Sequence, residues 1–204
     1  MAFLRLAQPE DYLDTIRGER VVLRPPAQSD YPAWAELRSQ SRAHLTPWEP
    51  TWTRDELARS SFRRRLRIYA RDVRDDLGYA FFIADLTTDK LLGGIALSSV
   101  RRGASQAATL GYWIGAPHKG QGKMQDAVRA IVPFAFRTLL LHRIEAACMT
   151  SNAASLRVLE KAGFQREGLV RQYLKINGVW EDHVLLGRVD TMGDNRAFAA
   201  EAGQ

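Results

Sequence analysis

The chain has 204 residues, 46% of them hydrophobic, enough for one domain with a sizeable core and too little for two of ordinary size. Its 29 Lys and Arg against 23 Asp and Glu give a formal charge of +6, a balance suited to an acidic ligand, a phosphate-rich cofactor or an RNA-bearing assembly. The single cysteine, Cys148, excludes an intrachain disulfide and a cysteine metal cluster. No window approaches the roughly 20 apolar residues of a membrane span, so a cytoplasmic protein without a membrane partner is expected.

Residues 1–19 lack clean periodicity and are expected to form an N-terminal extension, with the domain running from 20 to 189. Residues 20–24, RVVLR, alternate as a first strand, which Pro25 and Pro26 stop. Ser29 or Asp30 then caps a helix that carries Trp34 and Leu37 to about Gln40. The run 44–52, HLTPWEPTW, makes a stiff loop whose tryptophans, Trp48 and Trp52, either plug the core or line a substrate mouth.

Thr53-Arg54-Asp55-Glu56 has the form of a capping box and announces a helix that Gly78 can end. Phe62, Leu66, Tyr69, Val73 and Leu77 form its apolar face, while Arg59, Arg63, Arg64, Arg65, Arg67, Arg71 and Arg74 occupy the other. That second face reads either as solvated surface balanced by Asp72, Asp75 and Asp76 or as an RNA or acidic-partner surface. Direct nucleic-acid binding is not expected.

Residues 79–85 and 91–100 predict an antiparallel hairpin across a turn at 87–90, and 107–114 the next strand. A glycine-rich turn follows, then a helix from about Gly122 to Leu140 whose buried face is marked by Met124, Ala127, Val128, Ile131, Phe134 and Ala135. Pro133 predicts a kink or break within it. Residues 143–149 read as a strand, and 152–162 as a short helix capped by Ser151 or Asn152 and ended by Gly163. Residues 164–176 and 179–189 form a hairpin about Asn177-Gly178, with Gly168 a bulge. The stretch 190–204 is expected to be a flexible tail.

Chemistry concentrates at 111–130, GYWIGAPHKGQGKMQDAVRA. A strand, a turn of small residues and a helix start make an anion site in that order, because successive backbone N–H groups converge where the helix dipole also favours negative charge. Lys119 and Lys123 flank Gly120 and Gly122 to meet anionic oxygens. The stretch is neither a Walker loop nor a dinucleotide fingerprint, since it has no Gly-Lys-Ser/Thr and no GxGxxG.

Together with SNAASLRVLEKAGF at 151–164 and YLKINGVWEDHVL at 173–185, these motifs resemble the Gcn5-related N-acetyltransferase (GNAT) superfamily. Within it, the chain resembles the RimJ/RimL-type protein N-terminal acetyltransferases over about residues 20–189. The resemblance implies an α/β fold with a mixed, mostly antiparallel central sheet and helices on both faces. It implies acetyl-CoA as donor, bound in the cleft where the strand ending at Ile114 splays from the strand at 143–149. The family pattern Gln/Arg-x-x-Gly-x-Gly/Ala falls on Lys119-Gly120-Gln121-Gly122-Lys123-Met124, where Gly122 matches and Lys119 and Met124 depart from it. By resemblance, backbone amides of Gly120, Gln121, Gly122, Lys123, Met124 and Gln125 hold the pyrophosphate, the backbone of Trp113 and Ile114 pairs with the pantetheine arm, and no metal is needed.

Asn152 and Ser155 match the family's Asn-x-x-Ser. By resemblance Asn152 bonds the cofactor or an ordered water, and Ser155 lies near the thioester sulfur, where its hydroxyl can protonate the departing thiolate. By residue type alone both are helix caps. The glutamate base that related enzymes carry on the strand before GYWI falls here at Thr109. Glu181, Asp182 and His183 on the last strand are candidates to act directly or through water, although alternation puts Glu181 and His183 on one face and Asp182 on the other. Tyr112 is a further candidate for positioning.

An α-amine with a pKa near 7.7 is about one-sixth neutral at pH 7, whereas a lysine near 10.4 is neutral about once in 2,500, a difference of roughly 3.7 kcal/mol. A site without an obvious strong base suits the α-amine. The expected reaction is acetyl transfer to the N-terminal amine of a protein, with ribosomal proteins as a candidate class, by direct attack in a ternary complex. Two alternatives stand beside it: a small-molecule amine such as an antibiotic, polyamine or amino acid, and a non-catalytic binding domain of the same fold. Monomer and homodimer both fit.

Overall fold

The computed structural model describes residues 13–191. In chain order its elements are β1 (Ile16–Arg17), β2 (Val21–Arg24), α1 (Tyr31–Gln40), α2 (Arg42–Leu45), α3 (Arg59–Arg74), β3 (Gly78–Asp85), β4 (Leu91–Arg101), β5 (Ala107–Ile114), α4 (Lys123–Pro133), β6 (Arg143–Met149), α5 (Ala153–Lys161), β7 (Gln165–Ile176) and β8 (Val179–Val189). The strands form one sheet in the order β1-β2-β3-β4-β5-β6-β8-β7, antiparallel at every pairing except β5 beside β6. This is the mixed, mostly antiparallel sheet that the resemblance implies. Ile16 and Arg17 pair with Leu23 and Val22, so the end of the presumed extension is an edge strand. Residues 1–12, and the tail from 192, lie outside the described residues.

Alternation along the central strands gives the sheet two apolar faces. On one, Leu23, Phe81, Ile83, Leu97, Leu110 and Ile144 meet Ala127, Val128 and Ile131 of α4 and Leu156 and Leu159 of α5. On the other, Phe82 and Leu91 meet Trp34 and Leu37 of α1 and Phe62 and Leu66 of α3. Each Val, Leu, Ile or Phe among them, fully buried, stabilises the fold by about 1.5–3 kcal/mol. The first turn of α4 is tied to the sheet edge by Asp126, whose carboxylate accepts the backbone N–H groups of Glu19, Arg20 and Val21 at 3.2, 2.7 and 3.2 Å. No described helix is long and apolar enough to cross a membrane.

Several local expectations change. The capping box at Thr53 is spelled but not formed: Thr53 Oγ1 donates to Asp55 at 2.8 Å, and Glu56 accepts from Arg65 at 2.8 Å instead of reaching back to cap. The helix therefore starts five residues later, at Arg59 with Ala58 as its N-cap, and it ends at Arg74, with Gly78 opening β3. Phe62 and Leu66 are buried as expected, but Leu77 is outside the helix and 48% exposed. On the arginine face Arg64, Arg71 and Arg74 pair with Asp55, Asp72 and Asp75; Asp76 instead binds Arg102.

Asp30 precedes α1 without capping it, because its carboxylate takes the Ala27 N–H and the Arg24 guanidinium. Pro133 ends α4, and a π-helical turn, Phe134–Thr138, follows. Asn177 and Gly178 turn the last hairpin with φ of +43° and +87°. Its register shifts near Gly168, as expected, and again between Val170 and Leu174, where Gln172 has a φ of +47° and donates its N–H to Asp182.

Candidate active site

The parallel pair β5–β6 is short. It is joined only at Ala107 with Arg143, Ala108 with Ile144 and Thr109 with Glu145. Past that point β5 follows β4 as far as Ile114, while β6 follows β8 as far as Met149. The two strands part, and a cavity of about 520 Å³ opens there, walled by the end of β5, the turn before α4 and the first turns of α4 and α5.

The turn is built from positive-φ glycines, Gly120 at +73° and Gly122 at +74°, a backbone that other residues adopt only with strain. Gly122 is the N-cap of α4 and no side chain caps that helix, so its first N–H groups, at Lys123, Met124 and Gln125, have no intrahelical acceptor. A Cβ on Gly122 would come within 2.8 Å of Arg20 Nη2, and Arg20 also donates to Gln121 O at 3.3 Å. A Cβ on Gly120 would meet nothing within 4 Å. Unfilled amides at a helix N-terminus, reached through open space, fit a pyrophosphate.

Charge around the turn is arranged unevenly. Lys119, Arg157 and Lys161 are on the cavity wall. Lys123 is there too, but its ammonium lies 2.7 Å from Asp85, a contact that holds the Asp85 carboxyl well below the usual range. His44 and His118 are both pushed below the ordinary histidine value by burial, aided by Lys119 and Lys90 respectively, and so are neutral at pH 7.

On α5, Asn152 is the N-cap and its Oδ1 accepts the Ser155 N–H at 3.1 Å. The Ser155 hydroxyl lies 2.7 Å from the Tyr112 hydroxyl. Burial raises the Tyr112 phenol far above neutrality, so it carries its proton at physiological pH.

The sequence profile of the Acetyltransferase (GNAT) domain matches residues 20–165. The chain belongs to the GNAT acetyltransferase family. Similar proteins include a probable N-acetyltransferase, YjcK, of Bacillus subtilis, 39% identical over 84% of this chain and 94% of that protein. The [ribosomal protein uS5]-alanine N-acetyltransferase of Escherichia coli is 34% identical over 82% and 86%. Among solved structures, Mycobacterium smegmatis RimJ in complex with CoA-disulfide has a TM-score of 0.82 and 30% identity, covering 92% of this chain and 95% of that one. Membership of this family makes the protein an N-acetyltransferase and sets aside the non-catalytic alternative.

In this acetyltransferase Tyr112, Trp113, Ile114, Lys119, Gly120, Gly122, Lys123, Met124, Gln125, Asn152 and Ser155 all line one cavity. Gln121 does not line it: its carbonyl takes Arg20 and its side-chain amide donates to Pro117 O. Glu181 and His183 are off the wall as well, because β6 stands between β5 and β8. His183 is 3% exposed, with Nδ1 2.9 Å from Glu181 O and its ring edge-on to Tyr173.

Sequence reasoning passed over Glu49. A second cavity of about 190 Å³ opens over the opposite face of the sheet, among Tyr69, Phe82, Gly94, Ala96 and Gly111, and it shares Glu49, Tyr112 and Trp113 with the first. Arg38 donates to the two Glu49 carboxylate oxygens at 3.1 and 2.7 Å, and Trp52 Nε1 donates to Oε2 at 2.7 Å. The Arg38 guanidinium, 6% exposed as a residue, lies over the rings of Trp52 and Trp113 at 4.5 and 5.0 Å. Both tryptophans of the stiff loop thus serve the site: Trp48 lines the larger cavity and Trp52 holds Glu49. The only signal in the sequence was that aromatic loop.

Proposed function

We propose that the protein transfers an acetyl group from acetyl-CoA to the N-terminal α-amine of a protein, and that ribosomal proteins are the acceptor class. The observation that carries this reading is the parting of β5 from β6 above a turn of unfilled amides, with a second cavity meeting the first at Glu49, Tyr112 and Trp113. The name of the Escherichia coli relative, an alanine N-acetyltransferase of a ribosomal protein, supports the acceptor.

Acetyl-CoA supplies the activated acyl group. Amides at Gly120 and Gly122–Gln125 would bind its pyrophosphate and the free edge of β5 would orient its arm, leaving the chemistry to side chains. Nitrogen bonds to the acyl carbon as the carbon–sulfur bond breaks; the sulfur gains a proton and the amine loses one. The Tyr112 and Ser155 hydroxyls form a pair able to hand that proton to sulfur, since Tyr112 stays protonated and Ser155 reaches the wall. The second cavity, lined by small residues at Ala80, Gly94, Ala96 and Gly111, leaves room for the end of an extended chain.

Peptides bearing a free N-terminus, and a set of polyamines and amino acids, incubated with acetyl-CoA and read by mass spectrometry, test the acceptor. Acetylation confined to the peptide α-amine is expected. Turnover of the small amines alone would overturn it.

A further inference from the structure

Glu49, Tyr112 and Trp113 are the residues common to the two cavities, and Glu49 is the one of the three that carries charge. We infer that Glu49 is the carboxylate that receives the acceptor's ammonium and holds it at the junction of the two cavities. The inference deepens the proposed function and rests on it for the location of the acceptor.

The acceptor needs such a group. At pH 7 about five-sixths of α-amines are protonated, and the larger cavity is lined by Lys119, Lys123, Arg157 and Lys161. A cation approaching that wall is repelled unless a carboxylate lies in its path. β5 offers none, because its residues, AATLGYWI, include no Asp or Glu.

The hydrogen-bond accounting leaves room for it. A carboxylate has about four lone-pair sites. Arg38 takes one on Oε1, while Arg38 and Trp52 take two on Oε2, so among the described residues one site on Oε1 is open. The carboxylate is also held in place: Arg38 is buried against the tryptophans, and the Glu49 carbonyl accepts the Asn177 N–H at 2.9 Å, fastening the loop to the β7–β8 turn. A group already fixed by three donors gives an ammonium a charge-assisted bond at little further ordering cost.

The test must separate this role from simple neutralisation of Arg38. Wild type and Glu49→Gln, each with CoA bound, are titrated by calorimetry with the tetrapeptide amide Ala-Ala-Gln-Ala and with its desamino form, in which propionyl replaces the first alanine. Wild type is expected to favour the amine at least tenfold, and Glu49→Gln to bring that ratio close to one while CoA affinity is kept. A ratio unchanged in the variant overturns the inference. Should Glu49→Gln not fold, Glu49→Asp, which keeps the charge and shortens the reach, replaces it: a reduced ratio supports the role and an unchanged one refutes it. If wild type ignores the peptide but acetylates propylamine, the protein acceptor falls alone, and Glu49 is judged on propylamine against propanol. If wild type binds CoA but accepts neither amine, both fall.

Discussion

Asn152 and Ser155 divide the work at the head of α5. The Asn152 side-chain oxygen accepts the Ser155 N–H, as a cap, while its amide group and the Ser155 hydroxyl, in contact with Tyr112, are what the pair offers to the cavity. Ser155→Ala should lower kcat by about 100-fold, with the acetyl-CoA dissociation constant little changed; steady-state kinetics and calorimetry check both. Asn152→Ala should cost about 1 kcal/mol of stability, read by urea unfolding. Gly122→Ala forces a positive φ on alanine and drives its Cβ toward Arg20, so acetyl-CoA affinity should fall at least tenfold by calorimetry. The turn glycines and the cap at Asn152 were legible because their geometry is local, whereas the place of Asn152 and Ser155 beside the donor was legible only through the family resemblance. Glu49 was not, because its worth comes from Arg38, Trp52 and a cavity that exists only after folding.

Strands and hairpins emerged from the sequence with little error, since period-two alternation and an Asn-Gly turn are written within a few residues of each other. Helix starts were harder. Thr53 and Glu56 have capping-box spacing, yet Glu56 lies 2.8 Å from Arg65 and 3.7 Å from Arg38, and those ion pairs draw it out of the cap. Asp126 shows the same limit: it reads as an ordinary first-turn acid, while its partners lie 105–107 residues earlier. Asp126→Asn leaves one carboxylate oxygen fewer for those three N–H groups and removes the charge, so it should destabilise the fold by about 1.5–3 kcal/mol. Urea titration measures this, and loosening of the β1–β2 turn should accompany it.

At the scale of the molecule, the mixed sheet and its splayed pair were legible only through the family resemblance, and the strand order was not legible, because no local pattern says that β8 inserts between β6 and β7. Long-range ion pairs belong to this scale as well. Asp76, Asp85 and Glu167 are held below their ordinary values chiefly by hydrogen bonds from Arg102, Lys123 and Arg143. Their contribution is complete above the unfolded values of 3.8 and 4.5 and is lost as pH falls through the lower folded values. His44 and His118 act in the same direction from about 6.5 downward, since the unfolded chain protonates them more readily. The urea midpoint should therefore be level between about pH 7 and 8, decline gently below 6.5 and drop steeply below about 4. A midpoint that rises on acidification would contradict these assignments.

Three residue pairs are all that join β5 to β6, so backbone hydrogen bonding makes the sheet two panels meeting along a short seam. Beyond the seam, the edge of β5 at 111–114 has one strand for a neighbour where a central strand has two. The pantetheine arm carries two amides, so once bound along that edge it would behave as a short added strand, closing the seam along the rest of its length. Donor binding then becomes a mechanical event: two panels free to flex about three residue pairs would stiffen into one. Amide hydrogen exchange at 111–114 would report that stiffening as slower exchange, before any acceptor arrives.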